Sequence, residues 1–363
     1  MNRSGDLTET HAVGLLRGML EIPSPSYQER ALADFLANAM VDLGFQARVD
    51  VVGNVIGVVE RGDGPTLMLL GHLDTVPGEL PVRAEDGKLY GRGAVDAKGP
   101  LAAMICAAAG AVDFPGRIVV IGVVEEETPG SRGAMAIRAT HDRPDALIVG
   151  EPSGWSSVVL GYKGKLDLRY TVTCPATHPS NPAPKASELA VDCWAALVDL
   201  LGPDADHGVF SQPGATLVQL NADLISATAD LSVRTPPGFD VDMLLHRLRG
   251  RLPAGNLEVL NSVTACRVGR ATPTVRALVS GIRRLHAHPR LLVKTATSDM
   301  NTLAEVWDIP MATYGPGDSR LDHADTEHIV LSDYLRGIDV LSVALSELAH
   351  LPVHDRAPQG SLR

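Results

Sequence analysis

The sequence predicts an α/β fold, in which a mixed central sheet flanked by helices is interrupted by a smaller α+β domain. Two observations predict it. Short apolar segments alternate with helical ones towards both ends of the chain, as in sheets that are covered by helices. Between residues 162 and 267 the order becomes β-α-β-β-α-β, that of a ferredoxin-like sandwich. We therefore expect a first domain formed by 1–161 and 268–363, with 162–267 as an inserted second domain.

The first domain begins with a helical pattern over residues 8–20. Ser26 then precedes Glu29 by three positions, a capping-box signature for a helix to about Leu43. Apolar strands and one Ala-rich helix follow: Ala47–Val52, Asn54–Glu60, Thr66–Leu70, the helix Pro100–Val112, Arg117–Val124 and Ala146–Val149. Function in such sheets gathers beyond the carboxyl ends of the strands, so the residues that follow these strands are the first candidates for a site.

The inserted domain is predicted from six segments of alternating type. They are the strand Lys165–Cys174, the helix Ala186–Leu201, the strands Ala215–Leu220 and Ala229–Val233, the helix Val241–Arg251 and the strand Leu257–Val268. The chain then returns to the first domain with a helix near Thr274–His286, a strand near Met311–Tyr314 and a last helix near Leu331–Leu348.

Composition excludes several classes of protein. A chain of 363 residues with 45% hydrophobic residues fits two domains with buried cores. The net charge of −11 argues against a nucleic-acid partner, because nucleic-acid binders usually carry a basic surface. The four cysteines form no Cys-x-x-Cys pair, so neither a sulfur zinc site nor a disulfide framework is expected.

Targeting signals are not evident. Residues 1–11 lack the apolar core of a signal peptide, and no stretch approaches 18 uninterrupted apolar residues. We therefore expect a cytoplasmic protein without a membrane partner, and a frayed tail over 357–363.

Imidazole and carboxylate groups lie at or just beyond the predicted strand ends. They are His72, Asp74, Asp96, the triplet Glu125-Glu126-Glu127, Glu151 and His323. Oxygen and nitrogen donors without sulfur suit Zn²⁺ or Co²⁺. Two such cations that share a carboxylate can polarise a carbonyl and generate hydroxide at neutral pH. The sequence therefore predicts a two-metal amide hydrolase.

These signals also have structural alternatives. Asp96 precedes a helix and could be an N-cap carboxylate, while His72 and Asp74 could be a strand-end histidine and a turn residue. The glutamate triplet is harder to explain, because adjacent carboxylates after a buried strand repel one another and lose hydration. His328 competes with His323, but it opens an apolar segment and is expected to cap or pack.

In order and spacing, these segments resemble the di-zinc aminoacylase family, which includes acetylornithine deacetylase and succinyl-diaminopimelate desuccinylase. The resemblance rests on Gly-His-Leu-Asp-Thr-Val-Pro, Gly-Arg-Gly-x-x-Asp-x-Lys-Gly, Glu-Glu-x5-Gly, Gly-Glu-Pro and Asp-His, and it spans nearly the whole chain. It implies a zinc-exopeptidase-like catalytic domain that binds two metal ions. The implied ligands are His72, Asp96 and Glu151 for one ion and Asp96, Glu127 and His323 for the other, with Asp74 supporting His72.

The resemblance makes Glu126 the general base. The family usually has Asp-Glu-Glu where this chain has three glutamates, and Gly133 sets the register adopted here. A shift by one residue would make Glu125 the base and Glu126 the ligand. The resemblance also implies a cis peptide bond at Asp96–Ala97.

Two further residues take roles from the resemblance. In the family the inserted domain acts as a lid, dimerises and brings a histidine into the partner's site, where it stabilises an oxyanion. His178 matches that position, with an ordinary loop histidine as the alternative. Arg234 resembles a contact to a substrate carboxylate, which a guanidinium can clamp with two hydrogen bonds, with a surface arginine as the alternative. We therefore expect a homodimer.

Within the family, Lys294–Asn301 and Tyr314–Ile329 resemble hydrolases that release lysine or ornithine from the amino-group carrier protein LysW, in lysine and arginine biosynthesis. Independently, residues 267–298 contain seven basic residues and no Asp or Glu. This asymmetry predicts a docking surface for an acidic carrier, with a solvated helix face as the alternative. A small-molecule deacylase, a dipeptidase and an inactive metal-binding scaffold are the rival functions.

Overall fold

The computed structural model describes residues 8–353. The expected tail at 357–363 and the first seven residues of the segment inspected for a signal peptide lie outside the described residues. The chain forms two compact units. The first consists of Met1–Leu160, Val268–Leu292 and Thr302–Arg363, and the second of Gly161–Arg267 and Val293–Asn301.

The strands and helices of the described residues are numbered in chain order. The strands are β1 Gln46–Val49, β2 Val55–Glu60, β3 Thr66–His72, β4 Arg83–Glu85, β5 Lys88–Tyr90, β6 Arg117–Val123, β7 Ala146–Gly150, β8 Ser157–Tyr162, β9 Gly164–Thr173, β10 Gly214–Ala222, β11 Ser226–Thr235, β12 Asn256–Val263, β13 Cys266–Arg267, β14 Arg290–Lys294, β15 Met311–Thr313 and β16 His328–Val330. The helices are α1 Glu9–Leu20, α2 Arg30–Asp42, α3 Lys98–Gly110, α4 Arg132–Thr140, α5 Ala186–Leu201, α6 Val241–Arg251, α7 Pro273–Arg284, α8 Asp299–Ala304 and α9 Leu331–Leu348, with a 3-10 turn at Ser319–Leu321.

A mixed sheet forms the core of the first unit, with the strand order β1-β2-β6-β3-β7-β15-β8-β13. Strand β3 runs parallel to both β6 and β7, whereas β1, β2 and β6 pair antiparallel. The central strands are buried at nearly every position, which explains their continuous apolar sequences. The Ala-rich helix α3 is buried along almost its whole length. The predicted α/β class, with a mixed sheet flanked by helices, is confirmed.

The second unit contains a four-stranded antiparallel sheet with the order β10-β11-β9-β12. Strand β9 alternates buried and half-buried residues, and its buried side chains form one core with those of α5 and α6. Strands β8 and β13 pair antiparallel, with Tyr162 opposite Cys266 and Gly161 opposite Arg267. Strand β8, which precedes the four-stranded sheet in the chain, therefore lies beside β13, which follows that sheet.

The structure confirms some of the predicted elements and contradicts others. The helices α5, α6 and α9 begin and end at the predicted residues. The capping box at Ser26 is wrong, because α2 begins at Arg30 and the structure gives its N-cap, Glu29, no side-chain capping bond. The predicted strand Leu257–Val268 is two strands, β12 and β13. No helix among residues 8–353 combines the length and apolar character needed to cross a membrane.

Candidate metal centre

Three neighbouring parallel strands bring the candidate side chains to one edge of the sheet. Strand β3 lies between β6 and β7, with His72 opposite Val123 and Gly71 opposite Gly150. The glutamate triplet follows β6 after one residue, Val124, and Glu151 directly follows β7. Because parallel strands end at the same edge, an imidazole and several carboxylates converge there.

Asp96 lies between the two candidate histidines. Its Oδ1 is 3.1 Å from Nε2 of His72, and its Oδ2 is 3.2 Å from Nε2 of His323. A further carboxylate approaches each histidine: Oε1 of Glu151 is 3.9 Å from His72 Nε2, and Oε1 of Glu127 is 2.9 Å from His323 Nε2. Each oxygen of Asp96 thus faces a different group of ligand atoms, which is the geometry of a carboxylate that bridges two cations.

The glutamate triplet divides between two environments. Ligand atoms of Glu126 lie within 4.8 Å of those of His72 and Glu151, and Glu127 belongs to a second such group. Glu125 instead pairs with Arg132, whose Nη2 lies 2.6 Å from its Oε1. The geometry therefore favours the register in which Glu126 and Glu127, rather than Glu125 and Glu126, serve the site.

Asp74 holds both the first histidine and the triplet. Its carbonyl oxygen is 2.8 Å from Nδ1 of His72. Its carboxylate accepts hydrogen bonds from the backbone amides of Glu126 and Glu127, each at 3.0 Å, and from the hydroxyl of Ser26 at 2.8 Å. Asp74 thus contacts three segments of the centre, His72 through its backbone carbonyl and the triplet and Ser26 through its carboxylate. This is more than the support for His72 that the resemblance implies.

Backbone conformation is unusual at three points of the centre. The cis peptide bond at Asp96–Ala97 is present, which confirms the expectation, and Ala97 rather than Asp96 is the N-cap of α3. His323 and Glu125 have φ values of 62° and 60°, in the left-handed region. A left-handed φ costs about 1–3 kcal/mol in a residue other than glycine, and residues with such φ values concentrate at functional sites.

The centre gathers negative charge. Hydrogen bonding to Asp96 is the main reason that the pKa of His323 rises from 6.5 to about 9. Burial, followed by the charge of Asp96, raises the pKa of Glu127. Burial acts to lower the pKa of His72, but hydrogen bonds to Asp74 and Asp96 outweigh it and raise that pKa well above its ordinary value. All three pKa values are raised, so each of these groups holds a proton more readily than usual. Added positive charge would relieve the repulsion between the carboxylates.

The donor set fits divalent cations. It combines two imidazoles with oxygen donors and contains no sulfur, which suits Zn²⁺ or Co²⁺ better than a soft metal ion. Glu127 also borders a cavity of about 680 Å³ whose walls include the segments 23–28 and 75–80. The centre therefore has adjoining space for a substrate.

His178 and Arg234 belong to the second unit. His178 lies in an exposed loop, where its Nδ1 is 2.7 Å from the hydroxyl of Ser180. Arg234 lies in β11 and donates through Nη1 to Oγ1 of Thr297 at 3.2 Å. The structure leaves the roles implied for these two residues as predictions.

His328 is excluded as a rival of His323. It begins β16, its Nδ1 is 2.8 Å from the carbonyl oxygen of Thr326, and its ring packs at 4.8 Å from that of Tyr90. The expectation that His328 caps or packs is confirmed.

Sequence reasoning missed several residues that hold the centre in place. They are Ser26 and Arg132, described above, together with Arg92 and Glu327, which form a buried ion pair. Arg92 stands within the Gly-Arg-Gly motif, and Glu327 follows His323 by four positions. For Arg92 and Glu327, proximity to the motifs was the only signal, because the two residues are 235 positions apart.

Comparison with known proteins identifies relatives along nearly the whole chain. A LysW-lysine hydrolase of Deinococcus radiodurans is 38% identical over 351 residues, which cover 92% of this chain and 96% of the relative. A LysW-lysine/LysW-ornithine hydrolase of Saccharolobus islandicus is 28% identical over 354 residues, which cover 96% and 99% of the two chains.

Solved structures share the fold at much lower sequence identity. The M20 family metallo-carboxypeptidase Sso-CP2 of Sulfolobus solfataricus has a TM-score of 0.78 at 17% identity and covers 93% of this chain and 99% of its own. Aminopeptidase PepT of Bacillus cereus has a TM-score of 0.79 at 16% identity and covers 95% and 100% of the two chains. Residues 68–347 match the family described as Peptidase family M20/M25/M40. The ordered motifs, the ligand geometry and this match together show that the chain belongs to peptidase family M20/M25/M40, whose members are metal-dependent hydrolases.

Proposed function

We propose that the protein is a two-metal amide hydrolase that releases lysine or ornithine from the C-terminal glutamate side chain of the carrier protein LysW, in lysine and arginine biosynthesis. The observation that carries the chemistry is Asp96, whose two carboxylate oxygens face two different histidines. The relatives from Deinococcus radiodurans and Saccharolobus islandicus, named for LysW substrates, support the choice of substrate. The proposal keeps the cytoplasmic location that the sequence leads us to expect.

The proposed ligands form two sets that share one carboxylate. They are His72, Asp96 and Glu151 for one cation and Asp96, Glu127 and His323 for the other. We propose zinc as the native metal, with cobalt as the substitute that the same donors accept. When bound, the two cations polarise the scissile carbonyl and lower the pKa of water.

Glu126 performs the proton transfers in the proposed reaction. Its carboxylate takes a proton from the attacking water and then passes that proton to the α-amino nitrogen of the departing amino acid. Asp74 fixes the backbone amide of Glu126 at 3.0 Å, so the base is oriented before the substrate arrives. His178 of a second copy of the chain donates to the developing oxyanion, and Arg234 binds a carboxylate of the substrate.

Exposed apolar side chains of the second unit support a homodimer. Strand β10 is an edge strand of its sheet, and Val218 on it is 62% exposed. On helix α5, Val191 is 54% exposed and Val198 is 42% exposed. An apolar, unpaired strand edge favours pairing with a second copy. We propose that residues 162–267 form the lid and dimerisation domain.

Exposed arginines on α7 support electrostatic docking of an acidic carrier. Val275, Leu278 and Ile282 bury one side of this helix, whereas the arginines at 276, 283 and 284 are exposed. Glu347 approaches Arg284 at 3.7 Å, too weakly to neutralise the group as a whole. Clustered positive charge on an otherwise acidic protein would accelerate encounter with a negatively charged partner.

A turnover panel tests the proposal. Purified protein would be given a LysW-lysine conjugate, N-acetylornithine, N-succinyl-diaminopimelate and a set of dipeptides, each with and without a chelator. We expect the highest kcat/KM for the conjugate, and loss of activity with the chelator. Preference for either small amide would favour a small-molecule deacylase, cleavage of dipeptides alone would favour a dipeptidase, and absence of turnover would favour an inactive scaffold.

A further inference from the structure

Arg92 and Glu327 form an ion pair that the proposed mechanism does not use. Nη1 of Arg92 lies 2.9 Å from Oε2 of Glu327, and the two side chains are only 11% and 1% exposed. Charges are costly to remove from water, so a pair at this depth requires further hydrogen bonds. The partners that supply those bonds indicate what the pair does.

Glu327 holds the backbone that carries Asp96. Its second oxygen, Oε1, accepts hydrogen bonds from the amide of Val95 at 2.9 Å and from that of Asp96 at 3.1 Å. Two bonds from successive amides to one oxygen fix the point at which the Asp96 side chain leaves the backbone. The carboxylate of Glu327 thus faces Arg92 with one oxygen and the Asp96 segment with the other.

Arg92 holds two other segments. Its Nη1 donates to the carbonyl oxygen of Ala324 at 3.1 Å, directly after His323 in the chain. Its Nε donates to the carbonyl oxygen of Gly78 at 3.0 Å, in a segment that lines the cavity next to the centre. The branched guanidinium therefore connects the segment that carries His323 to the carboxylate that holds the Asp96 segment.

We propose that Arg92 and Glu327 are positioning residues that set the separation of Asp96 and His323. The inference rests on the proposed function only in requiring that the centre binds metal ions. Their hydrogen bonds reach the backbone of Val95, Asp96 and Ala324, so we expect their effect to pass through that backbone. Residues that orient metal ligands in this way typically change metal affinity when they are replaced.

The test compares a double variant with a matched control. R92M/E327Q removes both charges while keeping similar volume, so no charge is left buried and unpaired. R138M/E305Q is the control: Arg138 Nη1 lies 2.7 Å from Glu305 Oε2 and donates to the carbonyl oxygen of Thr302 at 2.9 Å, and neither of these two bonds reaches the centre. R92K is a third variant that keeps the positive charge but loses the branched donors.

Zinc affinity would be measured by competition with a chromophoric chelator, beside thermal unfolding of the metal-free proteins. We expect zinc binding about 10–100-fold weaker in R92M/E327Q, a smaller loss in R92K, and a change below about twofold in the control. We also expect kcat to fall more than KM changes, since the substrate still enters the same cavity.

Three results would overturn the inference. If R92M/E327Q and R92K were folded and bound zinc as tightly as the wild type, the pair would serve the fold alone. If R92M/E327Q did not fold, wild-type zinc affinity in R92K would decide against the inference by itself. A wild-type protein that bound no divalent metal would refute the proposed function and this inference together. A wild-type protein that bound zinc, with unchanged affinity in the variants, would refute this inference alone, so the two failures can be told apart.

Discussion

The two sheets of this protein bury their strands in different ways. In the first unit β3 is buried at all but its first residue, whereas β9 in the second unit alternates buried and half-buried residues. A strand without an exposed face can present functional groups only beyond its end, and a strand with an open face can present them along its length. The central strands of the first unit can therefore place side chains in a site only at one edge of their sheet, whereas β9 of the second unit keeps one face half-buried along its length.

The largest effect should come from the base at that edge. Replacing Glu126 by Gln removes the group that accepts the proton from water, and we expect kcat to fall about 10²–10⁴-fold. Zinc content, measured by atomic emission, should stay at the wild-type level, because the ligands of the two proposed sets are unchanged.

Glu125 provides the matched control. Its carboxylate is held by Arg132 at 2.6 Å, so Glu125→Gln should lower kcat far less than Glu126→Gln. If Glu125→Gln abolished turnover while Glu126→Gln lost zinc instead, the register would be shifted by one residue and the geometric interpretation would be wrong.

A smaller effect is expected from the second unit. Removing an oxyanion donor typically lowers kcat by about 10²–10³-fold, so we expect that loss in His178→Ala. If each copy supplies His178 to its partner, mixing inactive His178→Ala with inactive Glu126→Gln should restore about a quarter of the wild-type activity, because half of the dimers would contain one complete site. Mixtures that stay inactive although the subunits exchange would contradict this role.

Metal binding should also depend on pH. The pKa of His323 rises from 6.5 to about 9, mainly through its hydrogen bond to Asp96, so near neutral pH the metal-free protein carries a proton there. A coordinating imidazole must be neutral, so binding releases this proton, and affinity should rise with pH until about 9. Calorimetry in buffers of different ionisation enthalpy would measure the release. Identical apparent enthalpies in all buffers would contradict it.

The smallest effect is expected at the surface of α7. Reversing Arg283 and Arg284 to Glu should lower kcat/KM for the LysW-lysine conjugate about tenfold at low salt, because long-range attraction contributes mainly to the rate of encounter. Turnover of N-acetylornithine should be unchanged, and added salt should reduce the difference between variant and wild type. Equal losses on both substrates would exclude docking at these residues.

The sequence predicts elements whose signal is local and repeated. The helix α9 follows from regular spacing of apolar residues, and the strand β6 from an unbroken apolar run. The capping box failed because Ser26, which has a suitable local sequence, forms a tertiary hydrogen bond to Asp74 instead. A short signature cannot show when a distant partner will compete for the same hydroxyl.

The centre was predictable only in part for the same reason. Motif spacing selects the three candidate glutamates, but adjacent residues of one type carry no information about which of them faces the site. Arg132, seven positions after Glu125, pairs with it, and this contact favours Glu126 and Glu127 as the residues that serve the site. Arg92 and Glu327 are 235 positions apart, and nothing in the sequence around either residue indicates the other.

The pairing of β8 with β13 has a consequence for the history of the chain. The strands that enter and leave the second unit's sheet are neighbours, with Gly161 opposite Arg267. Residues 163–265 therefore connect two antiparallel neighbours of the larger sheet, as the loop of a hairpin does, but at much greater length. Closing a loop becomes only slightly more difficult as it lengthens, by roughly 0.6 kcal/mol for each doubling. Evolution could thus exchange or enlarge this module, and an engineer could transplant it between homologues, while the strands that carry His72 and Glu151 stay as they are.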